Sequence, residues 1–392
     1  MRLKLHSWWV RIPLLIFVLI VAIGGLFMAL TWKAVGTSSS GIRLEQMKAS
    51  PNYQDGKFVN LVPMVEFSIM ESLAEWIKGG SHTTPDGPLP MVRRTGEEFE
   101  TLPASGLRVT WLGHSTALVE LDGQRLLLDP LWSQRTSPVS WTGPKRFFDP
   151  PLPLDDLPPL DAVLISHDHF DHLDMETVVK LGRKGVPFIV PLGIGAHLEY
   201  WGIDQSQITE VDWWDVVEVG PLTITATPAR HFSGRSPVML DRNRTLWTGF
   251  AIVGPDHRVY YTGDTGMFNE FETIGKKLGP FDVMLVEVGA YHRLWADYHL
   301  GPEQALIAAE LAQAKLVLPV HWGTFDLALH SWTEPIERLL VASQARNIPV
   351  AVPRPGESIE PSLPFTTNRW WPDIPWQTAA DHTVVSSGVT AR

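Results

Sequence analysis

A dense group of histidine and aspartate side chains follows a predicted buried strand, which favours folds that gather functional residues at strand ends. The apolar run 162–165 predicts that strand. After Ser166, the six positions from His167 to His172 hold three histidines and two aspartates. Their spacing lets His167 and His169 bind one metal, while Asp171 and His172 turn toward a second. Two histidines on a loop are usually solvated, but four candidate ligands after a buried strand favour a metal site.

Composition narrows the chemistry and the partners. The chain has 392 residues and is 44% hydrophobic, so a sizeable core can form. It has no cysteine, which excludes disulfides, zinc–thiolate sites and a cysteine nucleophile. The net charge of −11 argues against nucleic acid as a partner, because binding the phosphate backbone needs a basic surface. Any metal must therefore be held by histidine, aspartate or glutamate.

An uncharged apolar run from Ile12 to Trp32 is long enough to cross a bilayer. Arg2, Lys4 and Arg11 precede it, so the positive-inside rule places the N-terminus in the cytoplasm and the rest of the chain on the extracytoplasmic side. A cleaved signal peptide is the alternative, with 34–36 as a passable cleavage site. We favour an uncleaved anchor, because the run is long for the apolar region of a signal peptide.

The remaining sequence is interpreted as an arm, a catalytic domain and a tail. The predicted segments are a short cytoplasmic N-terminus (1–11), a transmembrane anchor (12–32), a linker and N-terminal arm (33–100), a catalytic domain (101–362) and a C-terminal tail (363–392). Apolar residues at every fourth position predict a helix from Val65 to Lys78 in the arm. The polar tail is expected to be peripheral.

Strands at both ends of the catalytic domain with helices between them indicate two packed sheets covered by helices. Strands are predicted at 107–112, 117–121, 125–129, 162–165, 222–227, 248–253, 259–261, 283–286 and 316–320, and helices at 175–181, 195–201 and 302–313.

Three further candidate ligands stand just after apolar strands. They are His231, Asp264 and His321. A single histidine at a strand end is more often hydrogen-bonded or solvated, and Asp264 in Gly-Asp-Thr-Gly could simply close a turn. Their shared placement favours all three together, and a dinuclear site needs more ligands than the first cluster supplies.

The order of these motifs resembles the metallo-β-lactamase superfamily. It runs His-x-His-x-Asp-His, then a histidine, then Gly-Asp-Thr-Gly, then His-Trp-Gly. Flanking segments such as Thr110-Trp-Leu-Gly-His-Ser-Thr, Leu128-Asp-Pro and Asp212-Trp-Trp resemble one branch, the N-acylphosphatidylethanolamine-hydrolysing phospholipase D family. The resemblance covers roughly residues 50 to 360.

That resemblance implies an α/β fold, the αββα sandwich, with two Zn²⁺ ions. The implied ligands are His167, His169 and His231 for one metal, and Asp171, His172 and His321 for the other. Asp264 would bridge both metals, and Asp171 can also take part in proton transfer. His299 falls where the family has a histidine that contacts substrate, although a solvated loop imidazole is the alternative. Asp168 becomes a spacer, and His114 is interpreted as a supporting or packing residue.

The activity implied is hydrolysis of N-acylphosphatidylethanolamine to N-acylethanolamine and phosphatidic acid, with the membrane and its phospholipids as partners. Two metals can lower the pKa of a shared water toward neutrality, so no serine or cysteine nucleophile is required. Another hydrolase on the same scaffold, a lactonase or a soluble phosphodiesterase, stays open. A non-catalytic, membrane-tethered binding module is disfavoured by the complete ligand set. The oligomeric state stays open as well.

Overall fold

The computed structural model describes residues 8–66, 68–236, 239–365 and 367–388. The helices α1 to α8 are, in chain order, Trp8–Val35, Gly41–Ala49, Ile69–Lys78, Met175–Arg183, Ile194–Tyr200, Glu270–Leu278, Pro302–Leu311 and Glu334–Arg346. The strands β1 to β15 are Tyr53–Gln54, Lys57–Phe58, Leu107–Gly113, Thr116–Leu121, Gln124–Leu128, Ala162–Leu164, Phe188–Pro191, Ile208–Val211, Val216–Val219, Leu222–Thr227, Gly249–Val253, Arg258–Tyr261, Val283–Glu287, Val317–Val320 and Ser358–Ile359.

Two sheets form the centre of the molecule. One has the order β15-β3-β4-β5-β6-β7-β8 and the other β14-β13-β12-β11-β10-β9. Each sheet changes from antiparallel to parallel pairing partway across, at β5–β6 and at β12–β13. Since parallel strands end at the same edge of a sheet, the residues after β5 and β6, and those after β12, β13 and β14, lie at common edges.

Successive side chains along a strand point to opposite faces of its sheet, so one face packs in the core between the sheets and the other packs against the outer helices. In β5, Leu126 and Leu128 point into the core between the sheets, whereas Leu127 packs on the opposite face with α4 residues such as Val178. On the far side of the second sheet, apolar residues of α6, α7 and α8 complete the core, for example Phe271. This arrangement confirms the predicted αββα sandwich.

Every strand and helix that the apolar patterns predicted in the catalytic domain is present. The arm helix is shorter than predicted, because α3 begins at Ile69 rather than Val65. The Ser68 side chain accepts a hydrogen bond from the Glu71 backbone N–H, which fixes that start. The apolar face of α3 is solvent-exposed, since the side chains of Ile69 and Ile77 are 74% and 78% exposed.

The expectation of a peripheral C-terminal tail is wrong. Trp371 is only 4% exposed and belongs to the main core. Its ring packs at 5.9 Å from that of Trp322, and its Nε1–H donates to Glu337 at 2.7 Å. Indole rings bury enough apolar surface to hold an otherwise polar segment on the domain. Residues 389–392 of the tail lie outside the described residues.

The N-terminal helix α1 contains the stretch Ile12–Val35, which is long and apolar enough to cross a membrane. Its side chains are largely exposed, for example Leu15 at 68%. Exposed apolar surface of this extent is unfavourable in water, so α1 has the character of a membrane anchor or a signal segment. The basic residues Arg2 and Lys4, on which the predicted orientation depends, lie outside the described residues.

Candidate metal centre

Histidines that follow three strands, β6, β10 and β14, converge on Asp264, which follows β12. Its Oδ2 lies 3.2 Å from His172 Nε2 and 3.1 Å from His321 Nε2. The same oxygen lies 3.9 Å from His167 Nε2 and 3.9 Å from His231 Nε2. Asp264 therefore lies between two groups of candidate ligands, and its role as a bridge between two metals stays a prediction.

The first group consists of His167, His169 and His231, whose ring nitrogens lie within 4.8 Å of one another. His169 Nδ1 is 2.8 Å from His167 Nε2 and 3.3 Å from His231 Nε2. Burial lowers the pKa of all three imidazoles. They are accordingly neutral at pH 7 and offer lone pairs to a cation.

The second group consists of Asp171, His172 and His321. Asp171 Oδ2 lies 3.2 Å from His321 Nε2 and 3.5 Å from His172 Nε2. Burial acts to lower the pKa of His321, but the carboxylates of Asp264 and Asp171 raise it to about 10. The pKa of His172 is likewise raised well above its usual value by these carboxylates, against the effect of burial. The carboxylates of Asp171 and Asp264 thus stabilise positive charge between these side chains. A bound cation could supply that charge in place of the protons on His172 and His321.

Unpaired polar atoms mark the same point. Asp264 Oδ1 and His172 Nε2 are buried and have no hydrogen-bond partner within the described ranges. Leaving buried polar atoms unpaired is costly, so such atoms call for an explanation. Nitrogen and oxygen donors arranged in two groups around one carboxylate fit a pair of divalent cations. Bound cations would supply the partners that these unpaired atoms lack.

A missed residue, Asp129, orients His172. It follows β5 directly, and its Oδ2 lies 2.7 Å from His172 Nδ1. Asp129 Oδ1 accepts a hydrogen bond from the Ser166 backbone N–H at 2.7 Å, and the Tyr261 hydroxyl donates to Oδ2. With Nδ1–H directed to Asp129, Nε2 of His172 faces the centre. The sequence Leu128-Asp-Pro could have indicated this residue, because its carboxylate directly follows an apolar strand, as the predicted ligands do.

His114 supports the second group from behind. Its Nε2 lies 3.0 Å from Asp171 Oδ2, and burial lowers its pKa to about 3. His114, Asp129 and His321 all have positive φ, at 51°, 35° and 62°. This backbone conformation is uncommon for residues with a Cβ, and such strain concentrates at functional sites.

His299 lies at the centre and is not a solvated loop residue. Its Nδ1 is 2.8 Å from Glu287 Oε2 and 3.8 Å from Asp264 Oδ2. Glu287, also missed from the sequence, is the buried last residue of β13, and burial together with Asp264 raises its pKa. A carboxylate at the end of the apolar run Val283–Val286 was the available signal. Contact of His299 with substrate stays a prediction.

Asp168, interpreted as a spacer, has a structural function. It is 2% exposed and accepts hydrogen bonds from the Gly234 backbone N–H at 2.8 Å and the Thr245 hydroxyl at 2.7 Å. These bonds hold the peptide between His167 and His169 in place without directing the carboxylate to the metals.

The centre opens into a cavity of about 280 Å³ with largely apolar walls. Its lining residues comprise aromatic and aliphatic side chains together with the site residues: Ser72, Trp76, His169, Asp171, Phe232, Asp264, Ala290, Trp295, Tyr298, His299, His321 and Leu327. Trp76 comes from α3, and its ring stacks on that of Trp295 at 6.5 Å.

Known proteins resemble this chain in sequence and in fold. The family described as Beta-lactamase superfamily domain matches residues 124–322. The N-acyl-phosphatidylethanolamine-hydrolyzing phospholipase D 1 of Caenorhabditis elegans is 37% identical over 67% of this chain and 76% of its own length. The chain belongs to the metallo-β-lactamase superfamily and, within it, to this phospholipase D family. As a family member it is a metal-dependent hydrolase.

Two further relatives extend the comparison. An uncharacterized protein of Mycobacterium tuberculosis is 47% identical over 86% of this chain and 91% of its own length. A possible metal-dependent hydrolase from Veillonella parvula, known from its crystal structure, aligns with a TM-score of 0.52 at 22% identity, covering 64% of this chain and 98% of that one. The structural likeness supports the metallo-β-lactamase fold of the central domain.

Proposed function

We propose that this protein is a membrane-anchored, dizinc phospholipase D that hydrolyses N-acylphosphatidylethanolamine to N-acylethanolamine and phosphatidic acid. The observation that carries the proposal is the convergence of six donor side chains around Asp264 at the floor of an apolar-walled cavity. The phospholipase D relative in Caenorhabditis elegans supports the choice of substrate.

The proposed ligand roles follow the two groups of side chains. His167, His169 and His231 hold one zinc ion, and Asp171, His172 and His321 hold the other. Asp264 bridges them. When bound, the two ions neutralise charge on a phosphodiester and lower the pKa of a water molecule toward neutrality.

Residues of the chain complete the reaction. The Asp171 carboxylate, fixed by His114, takes a proton during attack and returns it to the leaving alkoxide. His299 donates a hydrogen bond from its ring to the phosphodiester, and Glu287 keeps the ring oriented through its contact at 2.8 Å. Asp171 and His299 both line the cavity, which supports these roles.

The cavity walls support a lipid substrate. Trp76 and Trp295 line the cavity, while Ile69 and Ile77 of the same helix as Trp76 are exposed. An apolar surface that runs from the outside of α3 to the metal centre suits acyl chains. A small polar pocket would instead have favoured the lactonase or soluble phosphodiesterase alternative.

The anchor belongs to the same proposal. We propose that α1 spans the membrane and that the catalytic domain lies on the extracytoplasmic side. Ser40 is exposed, and the native chain has no cysteine. A single cysteine introduced as Ser40→Cys is expected to react with a membrane-impermeant thiol reagent in intact cells. Protection from the reagent would contradict the proposed orientation.

The substrate is tested directly. Full-length, zinc-loaded protein in mixed micelles is incubated with N-acylphosphatidylethanolamine, and both products are quantified by mass spectrometry. Stoichiometric release of N-acylethanolamine and phosphatidic acid is expected, with His169→Ala as the inactive control. Hydrolysis of a lactone or a soluble phosphodiester without any turnover of the lipid would favour the alternative hydrolase. Far fewer than two zinc ions per chain would revive the binding module.

A further inference from the structure

The segment that leaves α1 is bonded to the loop that carries the proposed metal ligands. We call residues 33–39 the exit segment and residues 167–173 the ligand loop. Arg235 connects them directly and is 1% exposed. Its Nε and Nη2 donate to the Ala34 carbonyl at 3.0 and 2.9 Å. Its Nη1 donates to the carbonyls of Asp168 and Leu173 at 2.5 and 2.9 Å.

These bonds use the planar geometry of the guanidinium. One edge faces the exit segment and the other faces both ends of the ligand loop. The group also lies 4.1 Å above the Phe170 ring, in the middle of that loop. A lysine at this position has a single ammonium and cannot reach both edges in the same plane.

His197 forms a second connection. Its Nδ1 accepts a hydrogen bond from the Thr37 backbone N–H at 3.0 Å, which leaves the ring proton on Nε2. That Nε2 faces the Asp168 carboxylate across 3.6 Å. The ring is held by Trp201 at 5.8 Å, and the Trp201 indole N–H donates to the Lys33 carbonyl at 2.7 Å.

We propose that Arg235 and His197 are positioning residues that couple the exit segment to the ligand loop, so that correct seating of this segment sets the affinity of the metal centre. The inference rests on the proposed metal ligands and goes beyond them, because it gives the attachment of the membrane helix a role in the active site. On the ligand-loop side, the contacts are to the carbonyls of Asp168 and Leu173 and to the Asp168 carboxylate, which are adjacent to His167, His169 and His172.

Gly36 offers a test from outside the centre. It has φ +86°, and a Cβ there would lie 2.2 Å from His197 Nδ1, so Gly36→Ala must displace the ring or the exit segment. Gly41→Ala is the matched control, because Gly41 has φ +55° with nothing within 4 Å of its added Cβ. Both changes strain the backbone, but only the first disturbs the connection.

Zinc affinity of the full-length protein in micelles is measured by competition with a chromophoric chelator. Gly36→Ala and Arg235→Lys are each expected to weaken zinc binding about 10- to 100-fold, the usual effect of losing a group that orients ligands. Gly41→Ala and Arg244→Lys should bind zinc as the wild type does, since Arg244 contacts Ser38 of the exit segment at 3.2 Å from the exposed side. Excess zinc should restore activity to Gly36→Ala, which a misfolded protein would not show.

Equal zinc affinities for Gly36→Ala and Gly41→Ala, with circular dichroism showing both folded, would overturn the coupling. Weaker zinc binding in Arg235→Lys but not in Gly36→Ala would also overturn the coupling, because the exit segment would then have no influence on zinc affinity. A wild-type chain that binds zinc but leaves the lipid intact would refute only the proposed substrate. A wild-type chain that binds no zinc would refute both proposals.

Discussion

Two buried clusters of charged side chains in this molecule differ in how their polar atoms are satisfied. Around Glu334, both carboxylate oxygens accept hydrogen bonds, from the Tyr291 hydroxyl at 2.8 Å and the Gln377 backbone N–H at 3.0 Å. Arg338 lies beside it and donates to Glu303 at 2.7 Å. Around Asp264, by contrast, nitrogens and oxygens point at a common centre, and Asp264 Oδ1 is unpaired among the described residues.

The difference shows what separates a structural ion cluster from a functional one. Burial and shifted pKa values occur in both, so neither property identifies the metal centre. In the Glu334 cluster, both carboxylate oxygens are paired with protein donors, although His330 Nε2 and His382 Nε2 have no partner within the described ranges. In the Asp264 cluster, the lone pairs converge where a cation belongs. The first cluster should therefore govern stability and the second activity.

The largest expected effect is the loss of activity in His169→Ala. Removing one donor of the first group should lower lipid hydrolysis by at least about a thousandfold, since metal assistance contributes several kcal/mol to transition-state stabilisation. The melting temperature of the metal-free protein should scarcely change. Product release and zinc content measure the effect, with His82→Ala as a control at an exposed histidine. Full activity in His169→Ala would remove this residue from the centre.

The opposite result is expected at the other cluster. Arg338→Met leaves Glu334 and Glu303 without their cation and should destabilise the fold by about 3–5 kcal/mol, while zinc binding at low temperature is retained. Urea unfolding measures the loss. Arg346→Met is the matched control on the same helix, because Arg346 pairs with Glu310 in an exposed position and should cost at most about 1 kcal/mol. Similar losses for the two variants would contradict the comparison.

The sequence predicted more of the metal centre than of the paired cluster, for a physical reason. Candidate ligands such as His167 and His321 follow apolar runs, and the ends of these strands, one in each sheet, come together beside Asp264. Local pattern therefore indicates the candidates, and the resemblance to the metallo-β-lactamase superfamily implies how they are grouped. The pairing of Glu334 with Gln377 depends on where the C-terminal segment docks, which no local period encodes. The same limit explains why the burial of Trp371 was missed.

Asp129 and Glu287 fall between these cases. Each is a single carboxylate at a strand end, and from the sequence alone such a residue looks the same as one that closes a turn or faces solvent. Only the structure shows the histidine that each contacts, His172 for Asp129 and His299 for Glu287. Strands β7, β8 and β9 and helices α2, α6 and α8 were likewise not predicted; the strands are only four residues long, and tertiary packing decides the structure of such short segments more than local pattern does.

The pH dependence of stability should also separate the clusters. Burial acts to raise the pKa of Glu334, but His382, His330 and the surrounding donors lower it to about 2 from an ordinary value of 4.5. A lowered folded-state pKa contributes stability above the unfolded value, which is lost as the pH falls from about 4.5 toward 2. The contribution is about 3 kcal/mol at pH 7. Urea unfolding of the metal-free protein should show wild type and Glu334→Gln converging over that range, and a constant difference would contradict this assignment.

The smallest expected effect tests whether the metal centre depends on its supporting carboxylate. Asp129→Asn keeps the size of the side chain but weakens its hold on the Nδ1 proton of His172, so Nε2 is no longer fixed toward the centre. Zinc affinity should fall about 10- to 100-fold. Asp122→Asn is the matched control, because Asp122 bonds His257 Nδ1 at 2.6 Å in an aspartate–histidine pair separate from the metal ligands. If both variants bound zinc as tightly as the wild type, Asp129 would belong with the paired, structural cluster. A loss confined to Asp129→Asn would show that this carboxylate acts through the ligand it orients.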